Sequence, residues 1–319
     1  MQVLDASDTA VALPFDTLID QMESLFASLL IAPDRHHHTL PMSGEPDATL
    51  LLMPAWTEEV GCVKVVTATP GNSSRGLPAI SGSVLVFDRE TGAHLALLDG
   101  AVLTARRTAA ASALAARHLA TENAKNLLLI GAGKVAAQLP EAFRAVRPIE
   151  TVRVWDVFPD AAQGLAATLA KNGWNAEAVT DLAAAVPQAD IISAATLSTE
   201  PLLLGDWLRE GQHVDLIGAF TPSMREADDL ALQRARLFVD TKFALAEAGE
   251  LKVPLERGAI HRQDIVGDLF AICAREIGRQ DARDITLFKS VGNATMDLAA
   301  SITAVGVMSE KNEWCDDPS

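Results

Sequence analysis

Apolar residues at 15, 18, 19, 22, 25, 26, 29 and 30 recur with helical spacing and predict a helix over 15–30 with one buried face. The stretches TLLLMP (49–54), VGCVKVVT (60–67) and AISGSVLVF (79–87) read as strands, and ETG at 90–92 reads as a hairpin turn into a further strand, AHLALL (93–98). A helix followed by a largely antiparallel sheet is therefore expected in the first third. Residues 101–120, rich in Ala, Leu and Arg, predict one long helix.

The rhythm changes after Asn123. NLLLI runs into a glycine turn, and AAQLPEAFRAV predicts a helix that Pro140 kinks or delays. Strands follow at 151–156, 174–179, 189–196, 213–220 and 235–240, with helices at 160–171 and 181–186. Alternating strands and helices with near-continuous apolar strands predict a parallel sheet covered on both faces. Residues 284–308 read as helical after ITLFKSVG and pack back on the first section. The fold class is α/β: residues 1–118 with 292–319 form a discontinuous α+β domain, and 119–291 form a parallel-sheet domain of Rossmann type.

Gly131-Ala-Gly133-Lys-Val-Ala136 fits the G-x-G-x-x-A dinucleotide fingerprint. Gly131 permits the tight turn, Gly133 lets backbone N–H groups approach a pyrophosphate, and Ala136 allows close helix–strand packing. The motif follows a strand and opens a helix, and Asp156 stands 23 residues after Gly133, where an acid meets the adenosine ribose. A carboxylate there, with no arginine directly after it, favours NAD and leaves NADP as the alternative.

Lys64 alternates onto one strand face with Val60, Cys62 and Val66. A lysine among apolar neighbours is costly unless paired or working, and a snorkelling edge lysine is the alternative. Arg106 and Arg107 sit within an Ala-rich helix, where solvated helix charge is the competing explanation. Arg35 precedes three consecutive histidines, 36–38, whose adjacent side chains do not converge, so no metal is expected.

Lys and Arg number 26 against 42 Asp and Glu, a formal net charge of −16. So acidic a surface repels phosphate backbones and anionic membranes, and argues against a nucleic-acid partner. The absence of tyrosine excludes a phenolic acid or nucleophile. Three scattered cysteines carry no Cys-x-x-Cys spacing and fit a reducing compartment. With no basic segment ahead of the first apolar residues and no apolar run near 18, a cytoplasmic protein is expected.

DRHHHTLP (34–41), LLMPAW (51–56), GCVKVVTATPGNSSRGLPAISGSVLVFD (61–88), DGAVLTARRTAAASALAARHLA (99–120), GAGKVA, DLIGAFTPSMREAD (215–228) and LFKSVGNATMDLAA (287–300) together resemble the ornithine cyclodeaminase/mu-crystallin family. The resemblance covers essentially the whole chain. It implies a Rossmann domain plus a discontinuous domain for substrate binding and dimerisation, and hence a homodimer. It also implies that Arg35 and Arg107 clamp a substrate α-carboxylate. Lys64 would stand at the reacting carbon and nitrogen as the catalytic residue, and Ser81 would face substrate and nicotinamide. Gly131, Ala132, Gly133, Lys134, Val135, Ala136 and Asp156 match nucleotide-binding positions. Arg107, Thr108, Ala194, Ala195, Thr196, Met224, Lys289 and Ser290 match further contacts to the cofactor.

Two departures bear on activity. Phe220 replaces an Asp that handles protons during ammonia loss in the cyclodeaminases, and Leu51 replaces a Glu that meets ornithine's distal amine. Neither replacement exchanges a proton or pairs with an ammonium. The resemblance therefore implies NAD(P)H-dependent reduction of small cyclic imino acids, the five-membered Δ1-pyrroline-2-carboxylate and the six-membered Δ1-piperideine-2-carboxylate, with Phe220 in the substrate wall. Alternatives are an alanine dehydrogenase-type or N-alkyl amino acid oxidoreductase, ornithine cyclodeamination, and a non-catalytic binding protein like mu-crystallin.

Overall fold

The computed structural model describes residues 1–28 and 30–315. Leu29, expected on the buried face of the first long helix, and residues 316–319, expected in the first domain, lie outside the described residues. The chain divides into one unit of Met1–Arg107 with Asn293–Ser319 and a second of Thr108–Gly292. The division falls within the helix Gly100–Leu119, earlier than the expected 118/119, because that helix runs unbroken through both.

The first unit is built on a six-stranded sheet. Its strands are β1 (Gln2–Leu4), β2 (His36–Leu40), β3 (Ala48–Trp56), β4 (Val60–Ala68), β5 (Ile80–Asp88) and β6 (His94–Asp99), in the order β1-β6-β5-β4-β3-β2. Only β1 runs parallel to its neighbour; β2 to β6 are antiparallel, as the alternation predicts. The β5–β6 turn closes where Asp88 accepts the Thr91 N–H at 2.7 Å and Gly92 adopts a φ of 72°, a conformation glycine enters freely. The first long helix, Phe15–Phe26, buries Phe15, Leu18, Ile19, Met22, Leu25 and Phe26, as its spacing requires. It stops before Leu30, where Ala27 N–H makes the last i→i−4 bond to Glu23 and Ser28 N–H tightens onto the Leu25 carbonyl at 3.1 Å. It packs on the C-terminal helix, Ala294–Cys315, which also lies across β3, β4 and β5. Asn293 caps that helix by accepting from Thr295 N at 3.0 Å.

Register divides the two faces of this sheet. Met53, Lys64 and Val84 stand in one cross-strand row, and Ala55, Cys62 and Val86 in the next, all buried. The opposite face carries Pro54, Val63, Leu85 and Leu97 in a row, and all four are only half-buried.

The second unit holds an all-parallel eight-stranded sheet. Its strands are β7 (Asn126–Ile130), β8 (Thr151–Trp155), β9 (Asn175–Ala178), β10 (Ile191–Ala194), β11 (His213–Leu216), β12 (Arg236–Val239), β13 (Ile265–Asp268) and β14 (Thr286–Lys289), in the order β13-β12-β14-β11-β10-β7-β8-β9. Six of the eight follow the predicted strands. The C-terminal helix begins at Ala294, just after ITLFKSVG as expected, while β14, within that segment, is a buried central strand between β11 and β12 that the sequence reading does not assign. A short, wholly buried parallel strand lacks alternation and cannot be told from a buried helical turn by period. The chain winds outward from β7 through β8 to β9, then returns to the other side of β7 with β10. That reversal point is where open parallel sheets bind ligands, beyond the carboxyl ends of the strands.

Candidate active site

The first unit gathers a charge cluster on the covered face of its sheet. Lys64 is 4% exposed, and its Nζ lies 3.1 Å from Asp297 Oδ1. Arg107 Nε reaches the same oxygen at 3.0 Å from the helix Gly100–Leu119. Arg107 Nη1 also contacts Met296 Sδ at 3.5 Å. Asp297 is fully buried in the first turn of the C-terminal helix, where the helix dipole favours an anion. One carboxylate oxygen thus joins a strand and two helices, while its Oδ2 makes no hydrogen bond.

Burial drives the Lys64 ammonium down from its usual value to about 8. Arg107 and Arg35 push it the same way, and Asp297 opposes them. Arg35, half-buried just ahead of β2, is therefore within electrostatic reach of Lys64. Burial, followed by the Asp297 charge, pushes the neighbouring Cys62 thiol up to about 12, so it is no nucleophile. Asp297 was not singled out in the sequence, yet the signal was there: it is the one charged residue between Ala294 and Ser309.

Ser81 does not join this cluster. It pairs with Thr67 across β4–β5, one step out of phase with Lys64, so strand alternation turns it to the opposite face, where it is exposed. Leu51 does lie on the Lys64 face, opposite Val66. Alternation likewise sends His37 to the face opposite His36 and His38, and β2 is exposed throughout. Among the described residues, no group of three or more His, Cys, Asp or Glu is placed to hold a metal ion.

The second unit carries a cleft of about 410 Å³ at its reversal point, lined among others by Gly131, Gly133, Asp156, Phe158, Ala195 and Thr196. Gly131 has a φ of 107°, and a Cβ there would meet the Ala195 carbonyl at 2.8 Å. Gly133 differs: a Cβ would meet nothing within 4 Å. Packing within the protein therefore does not explain a glycine at 133, and it lines the cleft. Asp156 accepts Ala132 N–H at 2.8 Å and Phe158 N–H at 2.9 Å, which fixes the glycine loop and keeps a carboxylate at the cleft. Pro140 falls in the first turn of the helix Leu139–Arg144, after a short 3-10 turn, so the delay read from the sequence is real. These features fit a dinucleotide with an unphosphorylated ribose.

Other expected cofactor residues have different posts. Ala136 is buried behind the loop, Lys134 is exposed on it, and Val135 is half-buried. Thr108 and Ala194 are buried, and Met224 is half-buried. Ser290 is buried and donates to Asp240 Oδ2 at 2.9 Å. Phe220 is 44% exposed in the segment after β11. Lys289 is held by acidic partners. It is fully buried, 3.3 Å from Glu250 and 3.8 Å from Glu226, because a cationic end that cannot reach water must be paired inside.

The model of the ornithine cyclodeaminase/mu-crystallin family matches residues 1–311. The Δ1-pyrroline-2-carboxylate reductase of Paracoccus denitrificans is 43% identical over 285 residues, spanning 86% of this chain and 90% of that one. Among solved structures, the Δ1-pyrroline-2-carboxylate reductase of Thermococcus litoralis in complex with NADH and L-proline is 34% identical, with a TM-score of 0.90 over 98% of both chains. An archaeal alanine dehydrogenase dimer with bound NAD is 27% identical, with a TM-score of 0.87 over 98% of this chain and 97% of that one.

The open space over Gly133 makes a sharp prediction. Gly133→Val should fold with an unchanged melting temperature yet bind NADH at least about tenfold more weakly, a loss of roughly 1.4 kcal/mol. Thermal melting and fluorescence titration of the purified variant measure the two separately.

Proposed function

The chain belongs to the ornithine cyclodeaminase/mu-crystallin family, and we propose that within it this enzyme reduces small cyclic ketimines bearing a carboxylate, Δ1-pyrroline-2-carboxylate and Δ1-piperideine-2-carboxylate, to the corresponding cyclic amino acids. The observation that carries this is the buried sharing of Asp297 by Lys64 and Arg107, with Arg35 in electrostatic reach.

The substrate carboxylate is taken by the arginines. With Nε of Arg107 committed to Asp297 and Nη1 on Met296 Sδ, its Nη2 edge is the one offered to substrate, and Arg35 supplies a second fork. Lys64 handles the proton. An imine accepts hydride well only once its nitrogen is protonated, and an ammonium lowered to about 8 gives its proton up more readily than an exposed lysine. When bound, reduced nicotinamide supplies the hydride to the imine carbon. Asp297 holds Lys64 in place and keeps part of its charge. Asp297 Oδ1 is committed to Lys64 and Arg107, so it is no substitute for the acid that Phe220 replaces. Leu51, on the Lys64 face, offers ring methylenes an apolar wall and a distal ammonium nothing. The Asp156 carboxylate supports NAD over NADP, since it repels a 2′-phosphate.

We further propose a homodimer. The half-buried row of Pro54, Val63, Leu85 and Leu97 is an apolar sheet face of the kind that subunits cover. No helix among the described residues is long and apolar enough to cross a membrane.

Initial rates with NADH and NADPH on both cyclic imines, on pyruvate with ammonia, and on ornithine with NAD test the activity. Rapid NADH oxidation with a cyclic imine is expected, and proline formed from ornithine would overturn the exclusion of deamination. Lys64→Met should cost at least about a hundredfold in kcat while NADH still binds. Because protonated Lys64 is the working form, the reduction rate should fall as pH rises through about 8. In Asp297→Asn, which loses the charge that props Lys64 up, that fall should move to lower pH, as a pH–rate profile will reveal. Light scattering after size exclusion should give a dimer for the natural chain and a monomer for Leu85→Glu.

A further inference from the structure

Glu226 lies outside the groups assigned to substrate or cofactor, and it is fully buried. One oxygen of its carboxylate accepts Thr196 N–H at 2.7 Å and Thr196 Oγ1–H at 2.9 Å. The other accepts Gly218 N–H at 2.8 Å and Ala219 N–H at 3.2 Å. All four acceptor sites of the anion are thereby turned onto two loops, those leaving β10 and β11 at the carboxyl end of the sheet.

Close packing says the same independently. A Cβ on Gly218 would lie 2.1 Å from the Thr196 carbonyl and 2.4 Å from Glu226 Oε1, so only glycine lets these loops approach. Thr196 in turn backs the fingerprint, since a Cβ on Gly131 would lie 3.1 Å from Thr196 Cγ2. The main chain of Glu226 is held too. The Glu226 carbonyl accepts Leu202 and Leu203 N–H, each at 2.9 Å, and the Glu226 N–H donates to Glu250 of the helix Gly249–Arg257. Lys289, at the end of β14, places its ammonium between the Glu226 and Glu250 carboxylates. Burial pushes the Glu226 carboxyl up from its usual value, Lys289 and the loop N–H groups oppose this, and Glu250 adds to it.

We propose that Glu226 is a positioning residue for the dinucleotide: one buried carboxylate ties the loops after β10 and β11 into a single cradle and braces the Gly131 turn through Thr196. This rests on reading the second unit as the NAD site. Three variants test it in the full-length protein. Glu226→Gln keeps the shape but turns an N–H₂ group toward the donors of one loop. Thr196→Val removes only the hydroxyl donor, and Gly218→Ala forces the loops apart.

NADH affinity is read by energy transfer from tryptophan, Trp155 being in the cleft wall, together with KM for each substrate and the melting temperature. Glu226→Gln and Gly218→Ala should weaken NADH about tenfold and raise its KM in step, with the imino acid KM moving less than about threefold. Thr196→Val should weaken NADH about threefold. Lower melting temperatures with unaltered NADH affinity in the folded protein would overturn the proposal. If Glu226→Gln does not fold, natural affinity in Thr196→Val and Gly218→Ala overturns it equally. Failure of the natural chain to bind NADH would instead sink the reading of the second unit.

Discussion

The first unit depends on a single carboxylate oxygen. Lys64 and Arg107 reach Asp297 Oδ1 from a central strand and from the long Ala-rich helix, and Asp297 itself rides on the C-terminal helix. Three segments distant in sequence are therefore fixed at one point by charge. Such an arrangement is poor as a source of stability, because desolvating the ions offsets most of their attraction; removing one partner nonetheless costs about 3–5 kcal/mol by stranding the others. Its value lies in geometry and proton affinity. Burial lowers the proton affinity of Lys64, and Asp297 raises it. Their opposition leaves the ammonium at about 8, which is the property the proposed proton transfer uses.

The second unit solves a different problem with the same means. A parallel sheet whose order reverses between β7 and β10 leaves a crevice at its carboxyl edge, and loops must be held there without filling it. Gly131 is needed because the Ala195 carbonyl crowds it, whereas Gly133 has room to spare. The first glycine serves the fold, whereas packing places no such demand on the second. Asp156 acts on both sides of that line, accepting Ala132 N–H while presenting its charge to the cleft.

What was legible in the sequence follows from locality. The fingerprint glycines, Asp156 and the strands on either side are close in sequence, and each obeys a rule of local geometry. Lys64 betrayed itself by standing among apolar residues on an alternating strand. Asp297 gave the same kind of signal, a lone charge in an apolar helix, but its meaning needed the partners, which lie 190 and 233 residues away. Lys289 illustrates the complementary case: its partners Glu226 and Glu250 lie far from it in sequence, and neither announces itself by spacing. Ser81 shows how fine the margin is. A shift of one residue along β5 would bring it to the Lys64 face, and register is set by pairing with β4 rather than by anything in the strand itself.

The two buried clusters are opposite in sign, and this accounts for how an acidic chain can take an anionic substrate. With a net charge of −16, the surface as a whole repels a carboxylate. In the first unit, the buried cations Lys64 and Arg107 share the one carboxylate of Asp297, two positive charges to one negative in a low dielectric. A substrate carboxylate completes the balance. In the second unit two carboxylates, Glu226 and Glu250, surround one lysine, and the excess negative charge is met by N–H groups of the loops rather than by a cation from outside. A cluster short of an anion is built to receive one; a cluster whose excess charge is absorbed by its own backbone is built to hold still. The first is where substrate chemistry belongs, and the second is where rigidity is made.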